Sequence, residues 1–225
     1  MARGAGSRPP VPNVPGDLWR VEHLYLREGY RTVAGVDEAG RGALAGPVVA
    51  AAVVLPADME LPGIRDSKRL DGVQRRALYR LIRVHAVTVG IGAIDAPVVD
   101  RINILRATHQ AMAAALARLD PPPDFALIDG LPVEGVTVEH RCLVKGDRDS
   151  YLIAAASIVA KVTRDALMSD LDALYPGYGF ADHMGYGTAS HCEAIRRHGP
   201  CPIHRRTFEP VAGVLRPTLP GLGNL

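Results

Sequence analysis

Short apolar runs, two of which end in acidic residues, constrain the fold of this chain more than any other feature. The runs TVAGVDE, PVVAAAVVLP and FALID have the residue types of strands, and FALI is apolar enough to lie at the centre of a sheet. None approaches the roughly 18 apolar residues that a membrane span needs. An acid at the carboxyl end of a buried strand lies where open α/β sheets place their ligands. The runs therefore predict a sheet with a functional edge.

Helical patterns alternate with these runs. Apolar residues recur at helical spacing after Asp17, and residues 74–85 form an amphipathic pattern. Residues 97–119 and residues 149–174 each predict one long helix, and another is expected near residues 188–198. The segments AVTVGIGAI and VTVEHRCLV predict two more strands. This order favours an α/β domain with a mixed sheet and a C-terminal helical extension.

Composition bounds the class of protein without identifying it. A chain of 225 residues with 48% hydrophobic content suits one domain, or one domain with a small appendage. A net charge of +2 does not by itself indicate a nucleic-acid binder. Three cysteines are too few for a disulfide framework, and no apolar leader is present, so we expect a protein of the reducing cytoplasm. The distribution of charge is more informative than the total, and arginines cluster in two places. Solvated helix faces are the simpler explanation for both clusters. The first comprises Arg75, Arg76, Arg80 and Arg83, and the second Arg196, Arg197, Arg205 and Arg206.

Four carboxylates stand out by their context. Asp37 and Glu38 are adjacent, and both can serve one site only where the strand ends or bulges. Asp129 follows a buried run, and Asp147 precedes the long helix. Converging carboxylates suit hard divalent cations and are what a two-metal phosphodiesterase requires. Taken singly, each acid is more readily explained as structural, with Asp129 as a turn residue and Asp147 as a helix cap.

Two further groups of side chains have simpler explanations. Asp165 lies in the middle of a predicted helix, where an ion pair with Lys161 explains it. A zinc site is conceivable near the C-terminus, but the spacing matches no familiar finger and we expect no zinc. The residues concerned are Cys192, His198, Cys201 and His204.

Seven segments in a fixed order carry a family resemblance. They are GVDEAGRGALAGPVVAAAVVL, DSKRL, LIDG, LVKGDRDSYLIAAASIVAKVTRD, YPGYGF, HMGYGT and PIHRRTFEP. A lone DEAGRG would be only suggestive, but the ordered set strongly resembles the bacterial ribonuclease HII family over residues 33–211.

The resemblance implies a ribonuclease H-like fold, with a mixed five-stranded sheet flanked by helices. It implies an endonuclease that hydrolyses the RNA strand of RNA/DNA hybrids and cuts 5′ of ribonucleotides embedded in duplex DNA, leaving a 3′-hydroxyl and a 5′-phosphate. We accordingly expect a flexible tail over residues 1–15, a catalytic domain over residues 16–176, and an extension over residues 177–225 that completes the substrate site. We also expect a monomer.

The resemblance also assigns roles to particular residues. It implies that Mg²⁺ or Mn²⁺ binds at a site made of Asp37, Glu38, Asp129 and Asp147. It implies recognition of the junction between a ribose and the following deoxyribose by Ala39, Gly40, Arg41, Gly42 and Tyr186.

Simple chemistry agrees with the junction assignment. Glycines let backbone groups approach a sugar closely, Arg41 offers a charged fork to a phosphate, and the Tyr186 ring can pack on the next sugar. A plain turn and a packing residue would be the alternatives. Lys68 and Lys145 are candidate phosphate contacts, although solvated lysines are common. The main alternative function is a module that binds a duplex without cutting it. Carboxylates that face phosphates argue against this alternative, because they would not contribute to binding.

Overall fold

The described part of the protein, residues 17–64 and 70–216 of a computed structural model, contains five strands and eight α-helices. The strands are β1 (Val33–Ala39), β2 (Val48–Val54), β3 (Thr88–Ile94), β4 (Phe125–Asp129) and β5 (His140–Leu143). The helices are α1 (Arg20–Arg27), α2 (Gly72–His85), α3 (Ala96–Ile102), α4 (Ile104–Leu116), α5 (Tyr151–Leu174), α6 (Phe180–His183), α7 (Ala189–His198) and α8 (Val211–Leu215). A 3₁₀ turn covers Gly146–Arg148.

The strands form one mixed sheet in the order β3-β2-β1-β4-β5. The β1–β2 and β2–β3 pairs are antiparallel, whereas β1–β4 and β4–β5 are parallel. Every residue of β2 is buried because helices cover both faces of the sheet. Its side chains alternate: Ala51 and Val53 pack with α5, and Ala50 and Ala52 pack with α4. The predicted α/β class and mixed five-stranded sheet are confirmed.

Helix α5 lies directly on β1 because β1 has a glycine at the crossing point. A Cβ atom on Gly35 would lie 2.1 Å from the carbonyl carbon of Leu152, so any larger residue would push the helix away. The close approach places the α5 residues Ser157 and Lys161 beside the carboxyl end of β1.

A buried carboxylate fastens α1 to the start of α5. Glu22 is fully buried, and its Oε1 accepts hydrogen bonds from the Ser150 hydroxyl (2.6 Å) and from the Leu152 backbone N–H (3.0 Å). Its side chain thus satisfies a backbone donor that the first turn of α5 leaves open. Burial raises the pKa of Glu22 to about 7.

Several element boundaries differ from the sequence-based predictions. Residues 97–119 form two helices, because the backbone of Asn103 leaves the helical conformation (φ 69°, ψ 163°) and its side chain caps α4 by accepting from the Arg106 N–H. The segment VTVEHRCLV pairs only over His140–Leu143. The first helix begins at Arg20, with Trp19 rather than the expected Asp17 as its N-cap. The predicted tail over residues 1–15 and the candidate Lys68 lie outside the described residues.

The C-terminal helices pack against the loop that joins β1 to β2. The Leu44 N–H donates to the Gly185 carbonyl (2.8 Å), and the Arg205 N–H donates to the Leu44 carbonyl (2.8 Å). Gly46 donates in the same way to Ile203 (2.9 Å). The extension is therefore built into the structure around the carboxyl end of β1.

Candidate active site

Two acids meet where β1 and β4 end side by side. Val36 of β1 pairs with Ile128 of β4, so the next residues, Asp37 and Asp129, adjoin at the carboxyl edge of two parallel strands. The pKa of Asp37 lies well above its ordinary value, first because the carboxyl is buried and then because Glu38 and Asp129 repel its negative charge. This edge therefore concentrates negative charge in a poorly solvated place.

Glu38 joins this pair without a bulge in the strand. The β1–β2 ladder continues regularly from Gly35↔Val53 to Ala39↔Val49. Burial raises the pKa of Glu38 and Asp129 adds to the rise, while Arg41, whose Nη1 lies 3.3 Å from the Glu38 Oε1, opposes it. The ladder shows no bulge. Asp37 and Glu38 instead lie among the last three residues of β1, beyond the end of its pairing with β4.

Asp147 lies on the 3₁₀ turn that follows β5. The backbone N–H of Gly146 donates to the Asp129 Oδ1 at 2.5 Å, which ties that turn to the end of β4. Asp147 is half-buried on the same turn. Lys145, which precedes the turn in a left-handed conformation (φ 61°), is exposed.

A cleft of about 380 Å³ adjoins the acidic edge through Glu38. Its lining comprises Glu38, Ala39, Gly40, Arg41, Gly42, Arg75, Ser157, Ile158, Lys161 and Tyr186. The glycine loop, the arginine and the tyrosine that the sequence singled out thus share one cavity, although Tyr186 comes from the C-terminal extension. Lys145 is absent from this lining. Arg75, one of the arginines for which a solvated helix face was the simpler explanation, is part of this lining.

Sequence reasoning missed two buried arginines that shape the glycine loop. Arg205 donates to the carbonyls of Gly40 (2.7 Å), Arg41 (2.7 Å) and Gly46 (3.0 Å). Arg164, on α5, is likewise fully buried. It donates to the carbonyls of Pro47 (3.0 Å), Ala45 (3.1 Å) and Met184 (2.9 Å). Their position within the PIHRRTFEP and KVTRD segments was the available signal, but nothing in the sequence indicates which arginines are buried.

The Tyr186 ring lies over positive charge at the mouth of the cleft. Its centroid is 5.3 Å from the Arg164 Cζ and 5.8 Å from the Lys161 Nζ. Tyr186 is 37% exposed, so part of the residue is accessible to a ligand. Lys161 also pairs with Asp165 at 2.7 Å, which confirms the ion pair expected for that acid.

The four residues considered for zinc do not converge. Cys192 packs with Leu44 and Ile195, whereas Cys201 lies beside His204, 3.1 Å from Sγ to Nδ1. The ring of His198 lies edge-on to Tyr178. Over residues 17–64 and 70–216, no three or more His, Cys, Asp or Glu side chains are already arranged as a metal-binding group. The same holds for the acids at the ends of β1 and β4, whose side chains are not already grouped around one metal position.

The acids at this edge nevertheless suit a divalent cation. Asp37, Glu38 and Asp129 present only oxygen donors. Burial, and then repulsion by the charge of Asp129, raises the pKa of both Asp37 and Glu38. Hard cations such as Mg²⁺ and Mn²⁺ prefer oxygen ligands and would relieve that repulsion.

The sheet order, the helix laid on β1 and the acids at the strand ends define a ribonuclease H-like nuclease. Ribonuclease H2 from Pyrococcus horikoshii superposes with a TM-score of 0.70 at 27% identity, over 81% of this chain and 96% of that one. The ribonuclease HII of Archaeoglobus fulgidus, solved in complex with PCNA, also gives 0.70 at 25% identity, over 84% and 98% of the two chains.

The chain belongs to the ribonuclease HII family. The family model for ribonuclease HII matches residues 34–211. Ribonuclease HII of Geobacter metallireducens is 56% identical over 194 residues, which cover 86% of this chain and 91% of that protein. The protein is therefore a ribonuclease H, a hydrolase that cleaves the RNA strand of RNA/DNA hybrids, and the family is metal-dependent. Within the described residues, no helix is both long and apolar enough to cross a membrane.

Proposed function

We propose that this ribonuclease cuts 5′ of ribonucleotides, both in continuous hybrids and singly embedded in duplex DNA, by two-metal-ion hydrolysis that leaves a 3′-hydroxyl and a 5′-phosphate. The observation that carries the proposal is that two features lie side by side. An edge of mutually repelling carboxylates meets a cleft that holds the glycine loop, Arg41 and Tyr186.

The proposed metal ligands are Asp37, Glu38, Asp129 and Asp147. Bound Mg²⁺ or Mn²⁺ would supply an activated water and charge stabilisation for the leaving oxygen. Hydrogen bonds from other parts of the chain hold two of these carboxylates in place. Ser157 hydrogen-bonds Asp37, and the Gly146 N–H holds the Asp129 carboxylate.

The cleft supplies the means of distinguishing RNA from DNA. The Gly42 position has no heavy atom within 4 Å of a hypothetical Cβ, so a sugar can approach the backbone there. The 2′-hydroxyl of a ribose both donates and accepts hydrogen bonds, as backbone groups require. The exposed face of Tyr186 would pack on the next sugar and disfavour a second hydroxyl. Lys68 and Lys145 are proposed to contact phosphates farther along the duplex.

The placement of Tyr186 also supports the proposed division of the chain. Residues 16–176 would form the catalytic domain, and residues 177–225 would complete the substrate site, since they bring Tyr186 to the cleft. We further propose that the protein acts as a monomer in the cytoplasm.

A module that binds a duplex without cutting is less well supported. Burying a charged Asp37 next to Glu38 and Asp129 destabilises the folded protein, because the raised pKa of Asp37 means that its charged form is disfavoured there. Phosphate binding would gain nothing from these negative charges, whereas metal-assisted hydrolysis requires them.

The deciding experiment compares three duplexes: one with a single embedded ribonucleotide, a continuous RNA/DNA hybrid, and an all-DNA control. With Mg²⁺ we expect cleavage of the first two, with the embedded substrate cut on the 5′ side of the ribonucleotide. Cleavage that persists in excess EDTA would contradict metal-ion hydrolysis. An intact embedded substrate beside a cleaved hybrid would restrict the activity to continuous RNA.

A further inference from the structure

A chain of buried hydrogen bonds lies directly behind Tyr186. His191 and His204 are both buried, at 0% and 1% exposure, and their Nε2 atoms lie 3.1 Å apart. The His191 Nδ1 is 2.9 Å from the Tyr186 carbonyl oxygen. At the other end, the Cys201 backbone N–H donates to the His204 Nδ1 at 2.9 Å.

The backbone groups at the two ends determine where each proton lies. A carbonyl oxygen only accepts, so the His191 Nδ1 must carry a hydrogen and donate it to Tyr186. A backbone N–H only donates, so the His204 Nδ1 must be unprotonated. The neutral His204 then carries its hydrogen on Nε2 and donates it to the Nε2 of His191. The chain therefore has one direction and requires two neutral rings.

The surroundings favour the neutral rings. The His183 ring stacks on His191 with centroids 4.3 Å apart, and Phe180 meets His191 edge-on at 5.4 Å. The His183 Nδ1 accepts from the Gly185 N–H and its Nε2 lies 2.9 Å from the Tyr178 carbonyl, so it is neutral by the same reasoning. Burial, and then the proximity of His191, lower the pKa of His204 to about 4.

The chain ends on the backbone of the residue whose ring lies in the cleft. The Tyr186 carbonyl accepts from the Thr188 N–H at 2.8 Å as well as from His191. The Thr188 hydroxyl in turn accepts from the His191 N–H and caps α7. Together these bonds fix the Tyr186 carbonyl relative to the start of a helix.

We propose that His191, supported by His204, is a positioning residue. Its hydrogen bond to the Tyr186 carbonyl holds the Tyr186 ring at a fixed position relative to the carboxylates of the acidic edge. The inference rests on the proposed role of the cleft in cleaving next to a ribonucleotide. His191 touches no reacting atom. It acts through the backbone of Tyr186, and it does so as an uncharged donor.

A direct measurement of the protons tests the hydrogen-bond chain without reference to activity. Long-range ¹H–¹⁵N correlation NMR of the wild-type protein at pH 7 should show His191 protonated on Nδ1 alone and His204 on Nε2 alone. A charged ring at either position, or His191 protonated on Nε2, would overturn the proposal.

Two substitutions of His191 isolate the bond to Tyr186. His191→Asn keeps a donor close to the Nδ1 position, whereas His191→Leu has none. Both remove the acceptor of the His204 Nε2–H, so that loss is common to the pair. Single-turnover cleavage of a duplex with one ribonucleotide should slow by up to about a hundredfold in His191→Leu and by only a few-fold in His191→Asn. Duplex affinity in Ca²⁺ should be unchanged in both.

The outcomes separate this inference from the proposed function. Equal rates for the Asn and Leu variants, or a wild-type rate for Leu, would overturn the positioning role. If the wild-type protein does not cut the embedded substrate, the proposed function fails, and the ring signals of Tyr186 replace the rate as the readout. These signals, assigned from their loss in Tyr186→Phe, should shift in His191→Leu and stay in place in His191→Asn. Unshifted signals in the Leu variant would overturn the inference.

Discussion

Replacing Gly40 by alanine should destabilise the protein far more than replacing Gly42 by alanine, although the two glycines lie on either side of Arg41 in the sequence. A Cβ at Gly40 would lie 1.9 Å from the Arg164 Nε and 2.5 Å from its Cδ. Those atoms belong to the middle of a buried side chain that three backbone carbonyls hold, so they cannot move aside cheaply. A Cβ at Gly42 would meet no heavy atom within 4 Å.

The size of the effect follows from two costs. Gly40 has a φ of +92°, and placing a side chain in left-handed backbone costs about 1–2 kcal/mol. Moving Arg164 enough to break one hydrogen bond of its charged group adds about 1.5–3 kcal/mol. The sum of about 2.5–5 kcal/mol corresponds to a fall in Tm of roughly 5–20 °C for a chain of this size. Gly42→Ala should stay within about 0.5 kcal/mol of the wild type.

Thermal unfolding followed by circular dichroism measures the stability difference, and single-turnover cleavage of a duplex with one ribonucleotide measures function. We expect Gly42→Ala to unfold as the wild type does yet to cut at least about tenfold more slowly, because its methyl group occupies the space proposed for the sugar. A Gly40→Ala protein that melts within about 2 °C of the wild type would refute the argument that Arg164 is locked against this glycine.

Three further predictions concern the acids, the tyrosine and a buried carboxyl. Asp37→Asn should abolish cleavage while leaving the fold and duplex binding in Ca²⁺ intact, since it removes a proposed metal ligand and relieves repulsion at the acidic edge. Tyr186→Ala should slow cleavage of an embedded ribonucleotide by about a hundredfold without a matching loss of affinity, because affinity comes mainly from phosphate contacts. Glu22→Gln should gain stability relative to the wild type as pH rises from about 4.5 to 8. The folded pKa of Glu22 is about 7 against an ordinary 4.5, so the wild type loses about 3 kcal/mol over that window and the amide does not.

Each of these predictions has a matched control. Asp170→Asn, an exposed acid on α5, should cut at the wild-type rate, and normal turnover by Asp37→Asn would remove Asp37 from the metal site. Tyr186→Phe should retain most activity, and a wild-type rate for Tyr186→Ala would reduce the tyrosine to a packing residue. For Glu22→Gln, denaturant unfolding at pH 4.5 and pH 8 supplies the comparison. A stability difference that does not change between the two would show that the carboxyl titrates normally.

The sequence by itself determined the elements and the acids at their ends. Apolar runs and helical spacing are local patterns, and they located β1, β4 and α5 to within a few residues. The sequence does not predict the break at Asn103, because the apolar helical pattern continues through it. The cap that stabilises the break depends on side-chain geometry. The ordered motifs were specific enough to indicate the family.

Only the tertiary structure decided which residues share the cleft and what holds them there. Arg205 and Gly40 are 165 positions apart, yet they are joined by a hydrogen bond of 2.7 Å, and Tyr186 reaches the cleft from a different part of the chain. The difference between Gly40 and Gly42, alike in the sequence, depends wholly on where the Arg164 side chain lies. The protons of His191 and His204 are placed by backbone groups of Tyr186 and Cys201. Such contacts join distant segments and leave no periodic trace in the sequence, because their partners are chosen by the packing of the whole domain.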